Sequence, residues 1–186
     1  MEALREEKLY TYADYCAWDD DARYELIDGI AYAMAPGPSL GHQSIIGKIH
    51  LQIGQFLRGK PCKVFLSPFD VRLNGDGDDD DTVVQPDIVV VCDSSKLDKK
   101  GCNGAPDLAV EVLSPSSTKH DRVLKFHAYQ RAGVREYWIV DPDSKTVSVH
   151  ILEDGRYVSS AYADTDTAPV HVLDGCTINL TEVFEE

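Results

Sequence analysis

The sequence predicts an α+β fold: a central mixed β-sheet flanked by helices, with a hairpin added before it and a β meander after it. Three observations carry this. The runs at residues 86–91, 107–113 and 136–141 are rich in Val, Ile, Leu and aromatic side chains and have the length of strands. One stretch of helical periodicity precedes them, and a second lies between the last two. After Asp141, short β-like runs alternate with turn residues. The 186 residues read as one domain, 1–186, long enough for a sizeable core and without internal repeat or linker.

In chain order, residues 10–18 suit a short helix, with Thr11 as N-cap and Asp14 three residues later. Residues 23–27 and 30–34 flank Asp28-Gly29, a strong signal for a two-residue hairpin. Glu25 shares a strand face with Arg23 and Ile27. Pro36-Gly37-Pro38 ends that hairpin. A helix is expected from about Ser39, its apolar stripe being Ile45, Ile46, Ile49, Ile53, Phe56 and Leu57, with His42 on the same stripe. Gly59 and Pro61 stop it. Residues 64–66 and 69–73 read as strands around Ser67-Pro68.

Residues 74–81 form a Gly/Asp loop. Its alternate Asn74, Asp76 and Asp78 imitate a calcium loop, but Asp79 stands where that loop needs Gly and Gln85 where it needs Glu. A solvated hairpin tip is the expected reading. Residues 94–104 read as a loop carrying Lys96, Lys99 and Lys100. Thr118 and Asp121 form a capping-box-like pair for a helix that ends near Ala132, stopped by Gly133. Strands at 146–151 and 157–162 follow, joined at Asp154-Gly155, and residues 169–180 read as a short strand and a last segment packed on the sheet.

Eighteen Lys and Arg against 32 Asp and Glu give a net charge of −14, which argues against non-specific coating of nucleic acid but leaves room for a local basic cleft. Five of the negative charges sit together at Asp76 and residues 78–81. The five cysteines (Cys16, Cys62, Cys92, Cys102, Cys176) are odd in number and form no CxxC pair, so free thiols in a reducing cytoplasm are expected. No run approaches the ~20 apolar residues of a membrane helix. The charged N-terminus lacks a signal core, so a soluble, cytoplasmic protein without membrane association is expected.

Carboxylates interrupt the core strands. Asp87 opens one directly after Pro86, and Glu111 lies inside the next, on the face of Asp107, Ala109 and Leu113. Burying a carboxylate among Val and Leu costs several kcal/mol unless it is paired, hydrogen-bonded or bound to metal. Two carboxylates on adjacent strands can share one Mg²⁺, a hard cation that keeps several waters. Such an ion can lower the pKa of a bound water and neutralise charge developing at phosphorus. Each carboxylate also has a plainer reading, Asp87 as a turn cap above all.

The motifs Gln85-Pro86-Asp87, the run from Gly104 to Ser116, Asp121, Lys125-Phe126, Tyr129, Ala132-Gly133-Val134, Glu136-Tyr137-Trp138 and Val140-Asp141-Pro142 resemble the Uma2 family of restriction-endonuclease-like domains, part of the PD-(D/E)XK nuclease superfamily. The earlier run from Tyr24 to Gly29, Pro36-Gly37-Pro38 and His42 are similar to it too, so the resemblance covers nearly the whole chain. It implies a restriction-endonuclease-like core and a DNA endonuclease dependent on Mg²⁺ or Mn²⁺. Asp87 matches the superfamily's first carboxylate and Glu111 its second, but Leu113 occupies the lysine position. The family's lysine has moved to the following helix, which points to Lys125.

The same resemblance suggests the Val112 carbonyl as a metal ligand and Glu25 as a completing carboxylate, with His42, Gln85 and Asp121 as supporting residues. Plainer roles compete: an ion pair with Asp121 for Lys125, a cross-strand pair for Glu25, a core position for His42, a strand-end hydrogen bond for Gln85, packing for Tyr129. Lys96, Lys99, Lys100, Lys119 and Arg122 are the basic groups best placed to face phosphates, each with a solvated-loop alternative. A homodimer is expected by analogy, since cutting two strands needs two sites. The competing class is a nuclease-fold module that binds nucleic acid or a protein partner without cutting, which the acidic charge and Leu113 favour.

Overall fold

The computed structural model describes residues 8–19, 22–34, 39–114 and 120–185, and at 120–122 the backbone alone. Pro36-Gly37-Pro38, Thr118, Lys119 and the side chains of Asp121 and Arg122 therefore lie outside the described residues.

The elements in order are α1 (Tyr12–Cys16), β1 (Tyr24–Ile27), β2 (Ile30–Ala33), α2 (Leu40–Phe56), β3 (Lys63–Leu66), β4 (Val71–Arg72), β5 (Val83–Val84), β6 (Ile88–Val91), β7 (Leu97–Asp98), β8 (Gly101–Asn103), β9 (Leu108–Val112), α3 (Phe126–Ala132), β10 (Glu136–Asp141), β11 (Thr146–Glu153), β12 (Arg156–Ala163), β13 (Thr167–Pro169), β14 (Thr177–Asn179) and α4 (Leu180–Phe184). Their ends follow local chemistry. Thr11 and Asp14 close a capping box on α1, and the Ser39 hydroxyl accepts from His42 N–H at the start of α2. Gly133, at φ 85°, ends α3. Asp28 and Gly29 turn the first hairpin with φ 52° and 77°, the positive values a two-residue turn between twisted strands needs.

The central sheet runs β12-β11-β10-β9-β6-β3. Only β9 and β10 pair in parallel, joined by the crossover through α3; the other neighbours are antiparallel. One face packs on α2 and α4 through Ile88, Val110, Trp138, Ile49, Ile53 and Leu180. The opposite face carries Val89, Ala109, Leu113, Tyr137 and Ile139 and packs on Ala128 and Tyr129 of α3. Both faces are covered, so β6 and β9 are buried along their whole length and, Glu111 apart, apolar rather than alternating.

The N-terminal hairpin enters a second six-stranded sheet, β2-β1-β5-β4-β8-β7, whose Ile27, Val71 and Val84 join the same core as α3. Three expectations change here. Residues 94–104, read as a loop, hold the β7–β8 hairpin, because two- and three-residue strands are too short to show a period. The C-terminal segment is a β13–β14 ribbon followed by α4. The acidic loop is not solvated throughout: Asp80 is fully buried, accepting from the N–H groups of Asn74, Gly75, Asp76 and Thr82. Burial pushes the Asp80 carboxyl up, against those hydrogen bonds. The Asn74 amide binds Asp80 and Asp81, and Asp78 pairs with Lys100.

The cysteine expectation is corrected as well. Lys63 pairs with Val91 across β3 and β6, which sets Cys62 opposite Cys92, and the two form a disulfide. Nothing in a 30-residue separation marks this; only strand register brings them together. Cys16, Cys102 and Cys176 are free. Thiol titration of the unfolded, unreduced protein is expected to count three thiols, rising to five after reduction.

Glu136 is fully buried and ties the tail to the sheet. Its carboxylate accepts from the Trp138 indole N–H at 2.7 Å and from Val172 N–H at 2.8 Å. Burial raises its pKa above the ordinary 4.5, although those donors pull the other way. The folded state therefore holds this proton to higher pH than the unfolded chain, and stability falls as pH rises from 4.5 through the folded value. Glu136→Gln removes that titration. Urea midpoints against pH should fall less steeply above pH 4.5 for this variant than for the parent.

Candidate active site

The site lies between the two sheets, where β6 begins and β9 ends. In the antiparallel β6–β9 pair Ile88 faces Val110, so one step outward Asp87 faces Glu111. Both point to the face covered by α3, the face of Val89 and Ala109. Asp87 Oδ2 accepts the Val112 backbone N–H at 2.8 Å, which fixes its carboxylate against the end of β9.

Glu111 Oε1 accepts from Lys125 Nζ at 2.9 Å and from the Tyr129 hydroxyl at 2.7 Å. Lys125 Nζ is also 2.9 Å from Glu25 Oε1 on β1, and that oxygen accepts the Gln85 backbone N–H at 2.8 Å. Glu25, Glu111 and Lys125 are only 4%, 3% and 3% exposed. The lysine ammonium thus ties a carboxylate of each sheet to a common point. Lys125 closes a widened π-helical turn, His120–Lys125, that leads into α3. Such turns are frequent at functional sites because they re-aim side chains that a regular helix would set elsewhere. Tyr129 follows four residues later, on the same helical face. Burial first, then the Glu111 charge, pushes the Tyr129 hydroxyl well above its ordinary pKa of 10, so it remains a donor.

His42 reaches in from α2. Its Nε2 is 2.8 Å from the Val112 carbonyl oxygen and 3.5 Å from Asp87 Oδ2. The His42 and Asp87 side chains are 12% and 19% exposed, so this end of the cluster is its solvent-accessible mouth.

The residues form two contact groups, Asp87 with Val112 and His42, and Glu111 with Lys125, Tyr129 and Glu25, set side by side by the pairing of β6 on β9. Gln85 contributes its backbone, while its side chain serves the strand end. The Gln85 amide donates to Asp70 Oδ1 and Tyr15 and accepts from Arg23. Tyr129, read as packing, is a hydrogen-bond donor to Glu111; its spacing of four from Lys125 was the available signal. Asp121, Arg122 and Lys119 lie outside the described side chains. Lys99 and Lys100 line a cleft of about 410 Å³ with Tyr15, Phe69, Asp70 and Gln85. Lys100 is paired with Asp78, and Lys96 donates to the Ala105 carbonyl from a part-buried position.

The oxygens fit a hard divalent ion in kind: three carboxylates and one backbone carbonyl, without sulfur. Among the described residues, no three His, Cys, Asp or Glu side chains stand at the spacing of a bound ion. Lys125 and His42 nitrogens stand among these oxygens instead. A carbonyl oxygen has two lone pairs, so Val112 can keep His42 and still face a cation.

Known proteins share this architecture. The Uma2 family model, described as "Putative restriction endonuclease", matches residues 11–181. An uncharacterized protein of Synechocystis sp. is 28% identical over 157 residues, covering 82% of this chain and 80% of that protein. The crystal structure titled as a "putative nuclease belonging to DUF820" from Anabaena variabilis superposes with a TM-score of 0.74. It is 19% identical and covers 94% of this chain and 97% of its own, a likeness of fold.

Proposed function

This chain belongs to the Uma2 family, and on that footing we propose that it is a metal-dependent DNA endonuclease. One observation carries the reading: Lys125, from the turn after β9, sets its ammonium 2.9 Å from Glu111, although Leu113 fills the strand position where a nuclease lysine is expected. Asp87 and Glu111 would hold Mg²⁺ or Mn²⁺, with the Val112 carbonyl and Glu25 completing the set. The ion would supply a more acidic water and charge neutralisation at phosphorus. Lys125 orients the attacking water and stabilises negative charge on the phosphoryl oxygens. Tyr129 fixes the rotamer of Glu111, and His42 holds the Val112 carbonyl beside Asp87. Lys99, exposed in the cleft beside Gln85, is suited to a flanking phosphate.

Among the described residues no helix is long and apolar enough to cross a membrane. We propose that the protein acts as a homodimer on DNA. The second reading, a binding module without catalysis, is favoured by the net charge of −14 and by Leu113. Supercoiled plasmid separates the two. The nuclease reading expects nicked and linear products with Mg²⁺ or Mn²⁺ and none with EDTA. Retardation of the plasmid without products, in every metal, would establish the module.

A further inference from the structure

We infer that β12 is a dimer edge: two copies of this chain pair β12 to β12 antiparallel about a twofold axis at Ser160. This deepens the homodimer proposed above by giving it a surface and a register. β12 is the outer strand of the central sheet, eight residues long, and has no Pro and no Lys. Long edges of this kind are templates for pairing, and natural proteins usually interrupt or charge them.

The ladder with β11 decides which groups point outward. Its register pairs Glu153 with Arg156 across the two-residue Asp154-Gly155 turn, so Arg156, Val158, Ser160 and Tyr162 exchange hydrogen bonds with β11. Tyr157, Ser159, Ala161 and Ala163 turn their N–H and C=O groups away. The outer two are already satisfied. Tyr157 N–H donates to the Gln130 side chain at 2.9 Å. Ala163 N–H donates to the Asp166 carboxylate at 2.7 Å, and its carbonyl accepts from Asp166 N–H at 3.0 Å. Ser159 and Ala161 are exposed, and among the described residues nothing bonds their backbone groups.

Capped at both ends, the edge offers one short window. Only a twofold at Ser160 fills it without displacing a cap, because it sets Ser159 opposite Ala161 of the second copy, and the reverse. A twofold at Ser159 would recruit Tyr157, and one at Ala161 would recruit Ala163. The same register brings Val158, 52% exposed, opposite Tyr162 of the second copy, a favourable β-branched–aromatic pair. It also sets Arg156 opposite Asp164 of the second copy. On a chain of net charge −14, this neutral strand bounded by one charge of each sign is self-complementary where the acidic surface repels. The window is small, so the dimer is reversible rather than obligate.

The test uses the full chain with exposed Cys16 replaced by Ser. Facing residues of a non-hydrogen-bonded antiparallel pair have Cα atoms about 4.5 Å apart, within disulfide reach. Ser160→Cys should therefore cross-link to a covalent dimer on mild oxidation at least tenfold faster than Val158→Cys. In sedimentation velocity the parent should shift towards dimer with concentration. Ala161→Pro, which removes an outward N–H and leaves the β11 ladder intact, should stay monomeric. Val158→Lys, a surface change that keeps the fold, should do the same. Equal cross-linking of the two cysteine variants, a parent that stays monomeric, or variants that dimerise like the parent would each overturn the proposal. A monomer that cuts plasmid sinks this proposal alone; a dimer that never cuts sinks the catalytic one alone.

Discussion

Lys125→Met is expected to slow cleavage by orders of magnitude and to destabilise the fold at once. The ammonium lies 2.9 Å from carboxylates of both sheets, and all three side chains are buried. Removing it leaves Glu25 and Glu111 facing each other without that cation, and removal of one partner from a buried ion pair costs about 3–5 kcal/mol. Urea melts should show that loss. Cleavage, measured on the folded fraction, should fall about 1000-fold, the upper end of the range for removing one group that stabilises transition-state charge. Mn²⁺ binding should survive, since the carboxylates remain. This separates the lysine from the ligands.

Asp87→Asn and Glu111→Gln are expected to lose the metal; Asp87→Asn keeps the fold, and Glu111→Gln gives up some stability because it takes one of the two carboxylates that Lys125 pairs with. The asparagine amide would still offer an oxygen to Val112 N–H, and the glutamine amide would still accept from Tyr129, so each backbone and hydroxyl donor keeps an acceptor. What disappears is a carboxylate charge facing the ion, and hard divalent cations are held chiefly by such charges. Calorimetric titration with Mn²⁺ should show binding in the parent and in Lys125→Met but little or none in these two. Their cleavage should be slower by about 1000-fold or more, because both the ion and its water are lost.

Much of this was legible because few physical patterns compete with it. The stripe of isoleucines on α2, its Ser39 cap, the Asp28-Gly29 hairpin and the glycine ending α3 each state their geometry locally. Asp87 and Glu111 stood out as costly groups in otherwise apolar strands. Lys125 did not follow from cost at all; it came from the resemblance, since a helix lysine alone reads as solvated. The rest depended on register and contacts between distant segments. The Cys62–Cys92 bond needs β3 aligned on β6, and the second sheet is assembled in part from strands of two or three residues that carry no period. Asp80 looked like one more solvated acid in a run, yet four backbone donors enclose it. Tyr129 looked like packing because a tyrosine among apolar neighbours reads the same whether or not its hydroxyl has a partner at the far end.

Asp87, Glu111 and Lys125, from one strand entry, one strand and one turn, are proposed to act as a single catalytic unit. Groups that act as a unit are strongly non-additive: losing one costs nearly as much as losing all. The decisive measurement is the nicking rate of supercoiled plasmid in Mg²⁺ for the parent, for Asp87→Asn, Glu111→Gln and Lys125→Met, and for the triple variant, each at equal folded concentration. We expect a metal-dependent parent and three single variants within about tenfold of the triple. A single variant that cuts at the parent's rate, or a parent that cuts equally well in EDTA, would contradict the shared role of these three side chains.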